Sequence, residues 1–139
     1  MPTPAKTPQG LRLSAVVLGL ALLLWIPFED VNLNFILFFA LAISSWWGVR
    51  LLLNVSHDPK RILLRHLLVG LLAGLAVTPL AIVLMAFKTG VHGHGIPDFN
   101  AAQIEAALWR TPIWVGGGVL IGLGSALWRL SRDERYLES

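Results

Sequence analysis

The chain contains no cysteine. That excludes disulfides, thiolate catalysis, iron–sulfur clusters and CxxC zinc sites, and leaves the redox compartment undetermined. Charge is also scarce. Asp, Glu, Lys and Arg make up 14% of the 139 residues, against about 25% in a soluble domain. None of these residues falls in the middle of an apolar run. Proton relays and ion-coupled transporters keep ionisable groups inside the membrane, so the pattern argues against a monomeric pump. The sequence offers no nucleophile beside a base and no carboxylates paired for joint work. The chain is therefore expected not to be an enzyme.

What is present is apolar. Hydrophobic residues make up 55% of the chain, and mean hydropathy is positive. They gather in four runs, 11–28, 33–53, 62–87 and 112–130, each close to the roughly 20 residues a helix needs to cross a bilayer. The expected fold is all-α, a polytopic integral membrane protein. Four transmembrane helices would form a bundle, with a short interfacial helix between the third and fourth. Residues 1–10 hold three prolines and no apolar period, and read as a disordered cytoplasmic tail. Residues 131–139 read as a second tail, with Arg129 and Asp133 placed to pair if the fourth helix runs on into water. The first run lacks a small-x-small cleavage pattern after it, so it reads as a retained helix, not a signal peptide.

Helix boundaries are marked locally. Asp30 or Asn32 can cap the second helix, and Asp58 followed by Pro59 opens the third. Pro79 interrupts that helix and withholds an N–H from the carbonyl of Leu75, so a kink is expected, with Thr78 able to serve the freed group. Residues 89–97, rich in glycine and proline, read as a loop. Asn100 and Gln103 have capping-box spacing before a short helix that places Ile104, Ala107 and Leu108 on one face. Thr111 and Pro112 repeat the cap-then-proline signal.

The strongly basic pI does not point to nucleic acid, because the basic residues flank apolar runs and form no polar patch. They report topology. Lys6, Arg12, Arg50, Lys60, Arg61, Arg65, Arg129, Arg132 and Arg135 fall on one side; only Lys88 and Arg110 fall on the other. The positive-inside rule then places both termini in the cytoplasm. Tryptophans mark the same boundaries, with Trp25, Trp109 and Trp114 outside and Trp46, Trp47 and Trp128 inside.

The one long polar interruption, 88–112, carries the candidate metal ligands His92, His94 and Asp98. In an extended segment two imidazoles two residues apart face the same way. Glycines beside them let the backbone wrap an ion, and nitrogen and oxygen donors suit Zn²⁺ or Cu²⁺. The bland alternative is an interfacial loop with hydrogen-bonded histidines. His66, after Arg61 and Arg65, reads as a headgroup contact with no facing histidine for haem. No cofactor is implied. Gly70 and Gly74 on the third helix, and Gly118 and Gly122 on the fourth, have the spacing that lets helices approach closely.

The expected function is non-catalytic: a small structural or accessory subunit of a larger membrane complex, or a homo-oligomer. Its partners would be the lipid bilayer and other membrane subunits or itself, with no nucleic acid. The alternative is a small transporter or channel whose mouth is the loop of His92 and His94. A headgroup enzyme using His92, His94 and Asp98 ranks third.

Overall fold

The computed structural model describes residues 7–28, 32–53, 58–93 and 98–137, with side chains to 132 in the last segment. It is all-helical: α1 Gln9–Trp25, α2 Leu33–Leu52, α3 Pro59–His92, α4 Ala101–Trp109 and α5 Thr111–Leu137. The caps at Asn32, Asp58 and Asn100 follow the sequence signals, whereas Thr111, read as a cap, is already the first residue of α5. Asn32 accepts from the N–H of Asn34 at 2.9 Å, and Asp58 from that of Lys60 at 3.0 Å, with Pro59 at the first helical position. Asn100 and Gln103 form a reciprocal capping box. Each cap satisfies backbone donors that the first turn leaves open.

Among the described residues, three segments are long and apolar enough to cross a membrane: α2, α3, and α4 with α5 taken together over Ala101–Arg132. At 34 residues, α3 is about 50 Å long, well beyond the ~30 Å of bilayer hydrocarbon. α1 has 17 residues and is about 25 Å long. None of its residues is buried, and Leu13, Leu20, Leu23 and Leu24 are largely exposed. Such an exterior is costly in water and natural in lipid.

The helices are arranged as an open row. α3 is central, packed against α5 on one flank and α2 on the other; α1 touches α2, and α2 and α5 do not meet backbone to backbone. Between α2 and α5, one face of α3 becomes the floor of a trough of about 380 Å³. The main core lies towards the α3 C-terminus, where Ile36, Leu37 and Ala40 meet Val77, Ala81, Met85, Phe99 and Ala107. We call this the cap end. The opposite end, with Arg50, Lys60, Arg61, Arg65 and Arg129, is the basic end.

Several local expectations are corrected. The third helix does not stop at 87 but runs to His92, because 88–92 contains no proline. It ends at Gly93, whose φ of 66° is the left-handed terminating conformation glycine adopts without penalty. α1 begins at Gln9, inside the stretch read as tail, and α5 continues to Leu137. The helix is continuous through Pro79. The Thr78 hydroxyl meets that of Thr111 at 2.8 Å, bridging α3 and α5. Ser44 likewise donates across to the Ala73 carbonyl of α3, whereas Ser14 and Ser125 bond within their own helices. The Asp133 side chain lies outside the described residues.

Candidate functional site at the cap end

The C-terminal turns of α3 bring polar groups into the cap. Lys88 is fully buried, the largest fully buried side chain among the described residues. Its Nζ sits 3.8 Å from the centroid of the Trp25 ring, at the end of α1. An ammonium over an indole face is stabilised by the ring quadrupole, most strongly where water is excluded. Trp25 in turn stacks obliquely on Phe39, with centroids 5.0 Å apart. Lys88 therefore clamps three helices together. Its sequence position at the edge of a glycine loop suggests only a boundary charge. No periodic signal marks it, since the apolar run ends one residue earlier.

One turn on, His92 faces Asp98. Nδ1 and Oδ2 are 2.7 Å apart, and the side chains are only 9% and 6% exposed. The pair closes the short connection from α3 to α4, and Phe99 beside it is buried. His92 sits on a helix and not in an extended segment, so the geometric reason for two parallel imidazoles does not apply. The structure brings together two of the three candidate ligands, and they engage each other. His94 lies outside the described residues, and among those described no group of three potential ligands forms. With Asp98 held on Nδ1, the ring could meet a metal only through Nε2, and Asp98 would orient it.

α4 completes the cap. Ala107 is buried and Ile104 packs on the core. Leu108, expected on the same face as Ile104 and Ala107, is 52% exposed, and Trp109 is 75% exposed. Arg110 reaches Asn34 Oδ1 at 3.4 Å.

The buried pair makes a measurable demand. His92→Ala or Asp98→Ala leaves the other group buried without this partner, at a cost of about 1–3 kcal/mol. The double variant is expected to lose little more than either single one, because the contact is shared. Thermal unfolding of the three variants in detergent gives the answer; additive losses would show that the two side chains act separately.

At the basic end, His66 is buried, whereas its place after Arg61 and Arg65 suggests the surface. It is 6% exposed, and its Nδ1 meets the Ile62 carbonyl at 2.8 Å. Arg65 turns to the Leu51 carbonyl at the C-terminus of α2, where a cation favours the helix dipole.

The glycines meet where α3 and α5 cross. A Cβ on Gly70 would strike the Gly118 carbonyl and stand 3.1 Å from the Gly122 Cα; one on Gly74 would stand 2.8 Å from the Val115 Cα. Gly118 faces the Gly70 carbonyl and Gly122 that of His66. These are backbone-to-backbone contacts, with glycine Cα–H groups against carbonyl oxygens. At Gly116, Gly117 and Gly124, by contrast, an added methyl would meet nothing within 4 Å.

Comparison with protein families, with curated proteins and with solved structures finds no match to this chain.

Proposed function

We propose that the chain is a non-catalytic multi-pass membrane protein, acting as a small accessory subunit of a larger membrane assembly or as a homo-oligomer. In this reading α1 is a fourth span and both termini are cytoplasmic. The distribution of basic residues supports that orientation, with nine of eleven on the side of the termini.

The observation that carries the proposal is the second set of glycines on α5. Gly118 and Gly122 serve the contact with α3. A methyl added at Gly116 or Gly124 would meet nothing within 4 Å among the described residues, yet each glycine costs a helix about 1 kcal/mol relative to alanine. They flank Leu120, which is 69% exposed. In a bilayer, helices associate by close packing of small residues, because lipid tails are as apolar as leucine. A face opened by glycine at a helix-stability cost is suited to receiving a neighbouring backbone. The row is also open at this edge, where α5 has α3 on one side only.

The absence of cysteine makes the test clean. Leu120→Cys on α5 and Leu24→Cys on α1 are each oxidised in native membranes. Leu120→Cys is expected to give a defined cross-linked band, either at twice the chain mass or with a heavier protein that co-purifies in mild detergent. Leu24→Cys is the lipid-facing reference, 71% exposed. Cross-linking from α5 no greater than from α1 would remove the assembly reading.

A further inference from the structure

We infer that the trough between α2, α3 and α5 binds one anionic phospholipid, with an acyl chain along the glycine floor and the headgroup at the basic end. The inference rests on the membrane reading but not on oligomerisation.

The trough has the shape for a chain. Gly70, Ala73 and Gly74 of α3 form its floor, and Leu41 and Val49 of α2 face Ile113 and Ile121 of α5 across it. Its volume of about 380 Å³ falls in the usual range for small-molecule pockets, about 300–1,000 Å³. It stays open because small residues on α3 let α5 come close along one line, while α2 packs along a different line of α3 and does not meet α5.

The basic end supplies the polarity. His66 lines the trough and is 6% exposed. With Nδ1 on the Ile62 carbonyl, the ring donates there, so Nε2 is the atom left to accept from a headgroup or glycerol hydroxyl. Ser125 also lines the trough, and its hydroxyl is used by the Gly122 carbonyl. One turn further along the Gly118, Gly122, Ser125 line of α5 comes Arg129, half-buried and with no acidic partner among the described residues. A guanidinium at this position is matched to a phosphate. Arg50 follows Val49 at the end of the α2 wall, over the Trp46 ring. The ligand this chemistry recognises is amphipathic: apolar along the floor, hydroxyl-bearing near His66 and anionic at Arg129.

The groove on the other face of α2 and α3 is a useful contrast. It measures about 430 Å³, but its lining includes no charged or imidazole side chain. Size alone would favour it, and headgroup chemistry favours the trough. A helix from a second copy is the competing occupant; it would leave Arg129 and His66 without the phosphate and hydroxyl that they suit.

The test offers lipid-stripped protein in mild detergent equal amounts of phosphatidylglycerol and phosphatidylcholine with identical acyl chains. Adducts are counted by native mass spectrometry. One phosphatidylglycerol is expected to be retained in preference to phosphatidylcholine. Arg129→Gln is expected to lower that preference about fivefold, the effect of one basic residue near an anionic lipid surface. Gly117→Leu places a side chain in the trough without touching the α3 contact, because Gly117 has open space before it. It is expected to lose the adduct and keep the thermal stability. If that variant fails to fold, Arg129→Gln decides alone. Equal retention of the two lipids by the wild type overturns the inference. So does unchanged retention in Gly117→Leu, or a dimer that this variant converts to monomer with lipid retention unaltered.

Discussion

Gly70→Ala and Gly118→Ala are each expected to destabilise the protein by about 1–3 kcal/mol, the range for overpacking in a rigid core. Gly48→Ala and Gly19→Ala are expected to be neutral or stabilising by up to about 1 kcal/mol, as the helix propensity of alanine requires. The same substitution thus changes sign with position. At Gly70 and Gly118 the new methyl meets the facing backbone carbonyl, and a backbone cannot rotate away as a side chain can. The helices must separate, and separation loses the contacts along the whole crossing. At Gly48 the methyl would meet Val69 Cγ1 at 3.5 Å and Ala73 Cβ at 3.6 Å, ordinary van der Waals distances. At Gly19 it meets nothing. Leucine at Gly118 or Gly122 is expected to be worse than alanine, whereas changes at Leu120 leave the α3 contact alone. Denaturation of the variants in one detergent would show the pattern. Four equal shifts would mean that the α3–α5 crossing is not held by glycine contacts.

Trp25→Ala is expected to release the cap end of α1. This helix buries none of its residues, so its docking rests on few contacts. At the basic end the Trp46 indole donates to the Leu11 carbonyl at 2.9 Å. At the cap end Trp25 holds Phe39 and covers Lys88. Truncating a packed tryptophan costs about 3 kcal/mol or more, and about 1.4 kcal/mol is a tenfold change in a population. The docked form should therefore fall about a hundredfold relative to the released one. Lys88 reports this directly. It is one of three lysines, with Lys6 and Lys60, and it is fully buried while Lys60 is exposed. An amine-acylating reagent should modify Lys60 in both proteins, and Lys88 only in Trp25→Ala. Trp25→Phe keeps an aromatic face with a weaker quadrupole and should fall between them. Lys88 equally silent in all three proteins would show that Trp25 is not its cover.

These two expectations separate what a sequence can show from what it cannot. The glycine spacings at Gly70, Gly74, Gly118 and Gly122 are visible because close helix crossings require small residues one turn apart. Which further glycines face outward is not visible, since the rotation of α5 is set by its seat on α3. Asn32, Asp58 with Pro59, and Asn100 with Gln103 are legible because a cap involves neighbours within one turn. The metal-ligand spacing at His92 is also a local signal. It assumes extended backbone, whereas the helix continues to the first glycine that adopts a left-handed φ.

By itself the sequence determined the helical class, the apolar runs from which the long helices form, the caps at Asn32, Asp58 and Asn100, and the uneven distribution of basic residues. All of these follow from composition, periodicity or contacts within a turn. The tertiary structure alone decided that Lys88 and His66 are buried, that Ser44 and Thr78 bond across helices, and that α2 and α5 leave a trough between them. The partners in those contacts lie tens of residues apart. Their meeting depends on two helices docking on opposite flanks of α3, and no local pattern encodes that geometry.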